Sequence, residues 1–421
     1  MIFSVRAYAA LLVIVWSVSA HAAEFFFKDG DVIVMVGDSI TEQHLYSNYV
    51  EMWTVTRFPD WKLTFRNVGI GGDRSVGGNA RFARDVLLHH PTAMTVDFGM
   101  NDGSYRAFGN DTFKPFMDGL QGMADQAAKA GIRGAWITPQ PLDTDTQGPT
   151  ALTGYNETLE QFSAGTKETA DRNQGLFVDQ FHPYLEVLNA ARSRSPKYAR
   201  ITAGDAVHPG PPGQALMAAS ILKGLSFPTL VSSVEIDASA GKLITAQNCT
   251  VEHISVKDGG LSFSRLDRAL PFFPEDAAEI LPWASILEEL NDYRLKVTGL
   301  PAGTYAIQLD GTRITEITAE KLAAGTNLAA AALQTGPIAD QVKAVRTAVE
   351  IKNRFHHDMI FRGIVLSSVP EWIYSVVPQA ELEVKKQAVI QERLARLPAM
   401  DAEVAQMLKM KAHTVEIVPV K

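Results

Sequence analysis

The chain has 421 residues, 46% hydrophobic and 20% charged, with 39 Lys and Arg against 47 Asp and Glu for a formal charge of −8. These proportions exclude wholesale disorder, and the acidic balance argues against a general nucleic-acid binder, which needs a basic face. The single cysteine, Cys249, excludes an internal disulfide scaffold and any structural zinc site built on two or more cysteines.

Residues 1–22 read as a leader. Arg6 is their only charge, an apolar run from Ala9 to Trp16 follows, and Ala20-His21-Ala22 supplies small residues at an A-x-A site. That pattern predicts a cleaved signal peptide rather than a membrane span, and hence a secreted or periplasmic protein with no stable membrane insertion.

Residues 23–228 alternate strand-like and helix-like stretches. Val32–Val36 is a continuous apolar run between Asp-Gly-Asp and Gly-Asp-Ser, as expected of a strand buried on both faces. Shorter runs at 63–65, 93–96, 134–137 and 176–178 repeat the pattern. Helix-like stretches fall at 46–57, 78–88, 112–129, 155–171 and 213–224. Strand–helix alternation predicts a parallel sheet with helices on both faces, and ligands at the carboxyl ends of its strands. Residues 229–330 hold short β-like runs with hairpin signals at Asp258-Gly259-Gly260 and Asp310-Gly311, predicting a small antiparallel module. Residues 331–421 read as helical, with apolar positions at Val342, Val345, Val349 and Ile351 and a charged helix over 379–411 kinked at Pro398.

Four blocks carry candidate chemistry: Gly37-Asp38-Ser39-Ile40-Thr41, Asn67-Val68-Gly69-Ile70-Gly71-Gly72-Asp73, Gly99-Met100-Asn101-Asp102 and Asp205-Ala206-Val207-His208-Pro209. Each follows a predicted strand or precedes the closing helix, so all four can converge at one rim of the sheet. The chemistry they support is acyl transfer. Ser39 on a strand-to-helix turn is the candidate nucleophile, His208 its base, and Asp205 the group that fixes the imidazole tautomer. The backbone N–H groups of Ser39 and Gly72 and the side-chain NH2 of Asn101 are candidate oxyanion donors. A side chain at Gly72 would block that approach. Asp38, Asp73 and Asp102 read as turn caps and supporting hydrogen-bond acceptors. His44 and Tyr46 are candidates for either pocket lining or packing.

No cofactor is expected. Gly69-x-Gly71-Gly72 lacks the third spaced glycine of a dinucleotide loop, and no phosphate-cradling loop of the Walker type is present. No metal is expected either, because neighbouring histidines in His89-His90 and His356-His357-Asp358 point to different faces and belong on the solvated surface.

The four blocks resemble those of the SGNH hydrolases, the GDSL-type lipases and esterases. The resemblance maps the family's Ser, Gly, Asn and His onto Ser39, Gly72, Asn101 and His208, and its triad Asp onto Asp205. Ile40 stands where Leu is common. It implies a flavodoxin-like three-layer α/β/α sandwich for residues 23–228 and a serine esterase acting on a small-molecule or polysaccharide ester. The segments Leu270–Pro274, Leu300–Tyr305 and Lys352–Arg354 resemble accessory regions of secreted bacterial members, without bringing residue roles. Export, the appended β-module and the lack of a long apolar lid segment favour short acyl groups on carbohydrate. A lipase, lysophospholipase or thioesterase is the alternative activity, and a non-catalytic glycan-binding scaffold the alternative class.

Overall fold

The structure is a computed structural model that describes residues 24–143, 152, 154–195 and 201–420. The expected leader lies outside them. Among the described residues no helix is long and apolar enough to cross a membrane.

The first unit is an α/β/α sandwich. Its elements are β1 (Val32–Gly37), α1 (Ser39–Glu42), α2 (Leu45–Arg57), β2 (Thr64–Asn67), α3 (Ser75–Asp85), β3 (Ala93–Asp97), α4 (Asn110–Ala130), β4 (Arg133–Ile137), α5 (Tyr155–Arg172), β5 (Leu176–Val178), α6 (Phe181–Arg194) and α7 (Pro211–Gly224). The five strands are parallel in the order β2-β1-β3-β4-β5, the flavodoxin-like order. β1 shows why a continuous apolar run is needed. Ile33 and Met35 pack with Val50 and Trp53 of α2 and Leu216 of α7, while Val34 and Val36 pack with Phe82 of α3 and Phe116 and Leu120 of α4. The predicted elements fall within a few residues of these. Helix α6 has no counterpart among the predicted elements, although its buried positions, Phe181, Tyr184, Leu188 and Ala191, keep the three- and four-residue spacing of a helix face.

The second half holds two further sheets. One has the order β13-β10-β6-β7, formed by β6 (Leu230–Asp237), β7 (Lys242–Gln247), β10 (Asp292–Thr298) and β13 (Thr326–Asn327). The other has the order β12-β11-β14-β9-β8, formed by β8 (Cys249–Lys257), β9 (Gly260–Asp267), β11 (Thr304–Leu309), β12 (Thr312–Thr318) and β14 (Ala412–Pro419). The two hairpin signals join β8 to β9 and β11 to β12. Asp258, Gly259, Asp310 and Gly311 all have φ between 49° and 78°, as a two-residue turn matched to strand twist requires. β6 and β10 pair in parallel, so the first of these sheets is mixed rather than antiparallel.

Three short helices, α8 (Ile286–Leu290), α9 (Ala319–Ala324) and α10 (Ala329–Gln334), lead to α11 (Pro337–Arg354). A π-helix over Phe355–Val365 continues α11, and α12 (Gln379–Leu394) and α13 (Leu397–Met407) follow. The helical text therefore stops at Met407. The chain returns as β14 and inserts between β11 and β9, with Val415 and Ile417 buried in the shared core. A strand that completes a sheet begun some 150 positions earlier carries no local mark of that pairing.

The C-terminal helices pack on the first unit. Ile360, Phe361, Val365, Ile390 and Leu397 join the apolar layer formed by β1, α3 and α4. Trp53 of α2 stacks edge-on with Phe272, ring centroids 5.0 Å apart.

Candidate active site

The four blocks meet at the carboxyl end of β1 and β3, where the strand order reverses. In open α/β sheets that switch point leaves a crevice between oppositely directed connections.

Ser39 begins α1 directly after β1. Its neighbour Asp38 caps that turn by accepting from the Ile40 N–H at 2.9 Å. The Ser39 Oγ lies 2.9 Å from Nε2 of His208. His208 comes from the loop that leads into α7, closed by the bond from the Asp205 N–H to the His208 carbonyl at 3.2 Å. Asp205 grips the same residue twice. Its Oδ1 accepts the backbone N–H groups of Val207 and His208 at 2.8 and 2.7 Å, and its Oδ2 lies 3.1 Å from His208 Nδ1. Partial burial pushes the Asp205 carboxyl up, but the bonds from His208 and Val207 outweigh it and hold the group below the usual carboxylate range. The Asp205 side chain is 66% exposed, so its field on the imidazole is screened.

Gly72 lies in a turn closed by the Asp73 N–H on the Ile70 carbonyl at 3.2 Å, with φ of +73°. A Cβ built there meets nothing within 4 Å. The glycine is thus required by its left-handed backbone, the third position of a type II turn, and no protein atom crowds the position. Asn67 anchors the start of this loop, donating from Nδ2 to the Thr41 carbonyl at 2.6 Å and accepting the Gly69 N–H at 2.9 Å.

Asn101 follows β3. Its NH2 donates to Asp38 Oδ2 at 3.2 Å and to the Asp73 carbonyl at 3.1 Å, and its Oδ1 accepts from the Tyr105 hydroxyl at 2.8 Å. Tyr105, absent from the sequence reading, orients this amide from a left-handed backbone position with φ of +55°. Nothing local in Asp102-Gly103-Ser104-Tyr105 signals that the ring turns back.

Three acidic neighbours each have a distinct partner set. Asp102 accepts Ser75 N–H, Ser75 Oγ–H and Gly99 N–H at 2.9, 2.8 and 3.1 Å. Asp73 accepts Arg81 Nε at 2.7 Å. Asp38 is buried, and desolvation pushes its carboxyl up to about 7, opposed by the Ile40 bond and aided by the charges of Asp102 and Asp73. Burial likewise raises Asp102 to about 6. Tyr46 is a packing residue: it is fully buried, with its hydroxyl 2.8 Å from Thr41 Oγ1.

Of the histidine pairs, His90 is exposed as expected, but His356 does not lie on the solvated surface. His356 is buried, and its Nε2 lies 3.3 Å from Nε2 of His89. His357 packs edge-on against His44, ring centroids 4.9 Å apart. The π-helix lays both rings on the first unit, a contact invisible to local periodicity. Among the described residues no group of three or more His, Cys, Asp or Glu could hold a metal ion.

A nucleophile, a base and an orienting carboxylate in hydrogen-bonded series can attack an acyl carbon, with donors nearby for the charge that develops. Residues 35–216 match the model of the family described as GDSL-like Lipase/Acylhydrolase family. An acetylxylan esterase from Geobacillus stearothermophilus is 25% identical over 223 residues, which is 47% of this chain and 95% of that protein. A gut microbial diltiazem-metabolizing enzyme of known structure superposes with a TM-score of 0.80 at 24% identity, over 94% of this chain and 98% of that one. The two-sheet and helical second half therefore belongs to a fold shared along nearly the whole chain. A catalytic mutant of the Geobacillus stearothermophilus acetylxylan esterase aligns at 21% identity and a TM-score of 0.42, covering 48% of this chain and 97% of that one.

Proposed function

Because the chain belongs, through residues 35–216, to the GDSL-like lipase/acylhydrolase family of ester-hydrolysing enzymes, we propose that it is an exported serine esterase that removes short acyl groups, acetyl above all, from carbohydrate. The single observation that carries the mechanism is the 2.9 Å contact of Ser39 Oγ with His208 Nε2, backed by Asp205 at Nδ1. His208 takes the hydroxyl proton as Oγ attacks the acyl carbon, and returns it to the departing sugar alcohol. Water then enters, gives its proton to the same imidazole and releases the acid, which restores Ser39. Asp205 stabilises the imidazolium in both halves.

The oxyanion is assigned to the N–H groups of Ser39 and Gly72 and to Asn101 Nδ2. Both Asn101 Nδ2 hydrogens are held, by Asp38 at 3.2 Å and by the Asp73 carbonyl at 3.1 Å, so serving the oxyanion exchanges one of these bonds for a stronger one to a full negative charge. The similarity to an acetylxylan esterase and the leader pattern at residues 1–22 support the acyl class and the export.

The test is acetate release from aryl esters of increasing chain length, then from a panel of acetylated glycans, by wild type and Ser39→Ala. Wild type is expected to prefer acetyl, and Ser39→Ala to lose activity by about 10⁴-fold or more. Equal rates for the two would sink the serine mechanism. A preference for long acyl chains would instead select the lipase reading.

A further inference from the structure

The second half of the chain reaches the catalytic rim through one carboxylate. Glu42 ends α1, one turn after Ser39. Its Oε2 accepts the Gly71 N–H at 2.6 Å. Its Oε1 faces Arg362 of the π-helix, which donates from Nε and Nη2, and lies 3.5 Å from Nε2 of His357. His357 is itself held at Nδ1 by Asp358, 2.7 Å away. The Glu42 side chain is largely buried beside a cavity of about 220 Å³ lined by His44, Asn48, Asn353 and His357.

The bond to Gly71 falls at a mechanically sensitive point. Ile70 and Asp73 close a turn whose central peptide joins Gly71 to Gly72 and carries the Gly72 N–H. Types I and II differ by a flip of that peptide, and glycine on both sides makes the flip sterically cheap. The loop before it cannot yield. A Cβ at Gly69 would lie 2.4 Å from the Glu42 nitrogen, so the backbone there is already seated against α1. The remaining freedom is the orientation of the 71–72 peptide, and the Glu42 bond restrains it from the adjacent N–H.

We propose that Arg362, acting through Glu42, is a positioning residue for the oxyanion donor at Gly72, so that the C-terminal π-helix completes the active site. This rests on the serine-esterase reading above. Arg362 touches no reacting atom. It neutralises Glu42 and holds its carboxylate beneath the turn. Without it the anion turns toward solvent, the Gly71 N–H loses its acceptor, and the Gly72 N–H spends less time aimed at the oxyanion. Arg fits this place better than Lys, because its planar fork directs two N–H groups at one carboxylate oxygen.

The experiment uses the full chain and the variants Arg362→Ala, Arg362→Lys and Glu42→Gln. Arg362→Ala is expected to lower kcat on an aryl acetate by about ten- to a hundredfold, less than loss of a whole donor, with KM within about threefold. Arg362→Lys is expected to recover part of kcat. Amide exchange in the segment spanning 70–73 is expected to speed up in Arg362→Ala while exchange in β3 and α4 stays as in wild type. Glu42→Gln keeps an acceptor for Gly71 but loses the charge facing Arg362, and is expected to shift kcat and local exchange the same way by less. The proposal is overturned if Arg362→Ala and Glu42→Gln leave kcat and the 70–73 exchange within about twofold. It is equally overturned if exchange rises throughout the first unit, which would make the pair a general structural tie. Activity retained by Ser39→Ala would overturn the esterase reading itself, whereas the exchange result on the turn stands apart from it.

Discussion

Lys352 and Glu51 form an ion pair in the core, each side chain 2% exposed, across 301 positions of sequence. Lys352 comes from α11 and Glu51 from α2. Asn353 donates to the second Glu51 oxygen at 2.7 Å, and Asp401 of α13 lies 3.4 Å from the Lys352 nitrogen. Asp401 in turn pairs with Arg66 of β2 at 2.7 Å. The charges are thus satisfied as a set. Replacing Lys352 by Met leaves Glu51 buried and uncompensated, which costs about 3–5 kcal/mol. Thermal or urea unfolding of Lys352→Met should show that loss. The double variant Lys352→Met with Glu51→Leu should recover much of it, since an apolar pair of similar volume carries no charge to desolvate.

A chain truncated at residue 228 is expected to be poorly soluble and weakly active. Removing the second half uncovers Trp53, which packs against Phe272 and Phe273, and strips the apolar cover supplied by Ile360, Phe361 and Leu397. It also removes Arg362 from Glu42. Size-exclusion profiles and acetate release by the truncated chain check this. A monomer with full activity would refute it.

Acid should weaken the junction between the two halves. Burial lowers His89 to about 3, with Arg66 and His90 adding to the effect. Burial also takes His356 well below its ordinary value, with His89 next in effect. Both rings are neutral in the fold but take up protons in the unfolded chain below ~6.5. Their contribution is therefore complete above ~6.5 and is lost as pH falls below it, for His89 toward about 3, at roughly 1.4 kcal/mol per pH unit wherever a ring is protonated only in the unfolded chain. Replacing both by Gln should flatten the dependence of unfolding free energy on pH between ~6 and ~4. An unchanged slope would show that the two rings are accessible to protons in the fold.

Asp38 has the opposite sign. Its carboxyl is raised to about 7, chiefly by burial, so the fold holds this proton more tightly than the unfolded chain does. Stability from Asp38 is complete below ~4 and declines as pH rises to about 7. Asp38→Asn keeps an acceptor for the Ile40 N–H and removes the buried charge. It should gain stability over wild type at pH ~8 and lose that advantage at pH ~4, measured by urea unfolding at both. A gain independent of pH would assign the effect to packing.

The physical reason for what was legible lies in range. Val32–Val36 announces a strand buried on both faces because each of its side chains meets a helix, and Gly37-Asp38-Ser39 announces the turn because a cap and a tight approach need those residues. Asp205 and His208 stand three positions apart and meet through a local turn. Such features depend on neighbours within a few residues, so the fold class of the first unit and the order of the four blocks follow from the sequence alone. What the chain does with its second half does not. The insertion of β14, the His89–His356 contact, the Lys352–Glu51 pair and the reach of Arg362 to Glu42 all join residues roughly 150–320 positions apart. Helical periodicity along 337–407 marks a face to be buried but not the surface that buries it. Only tertiary packing decided that this surface is the catalytic unit, and that its contact ends one peptide from Gly72.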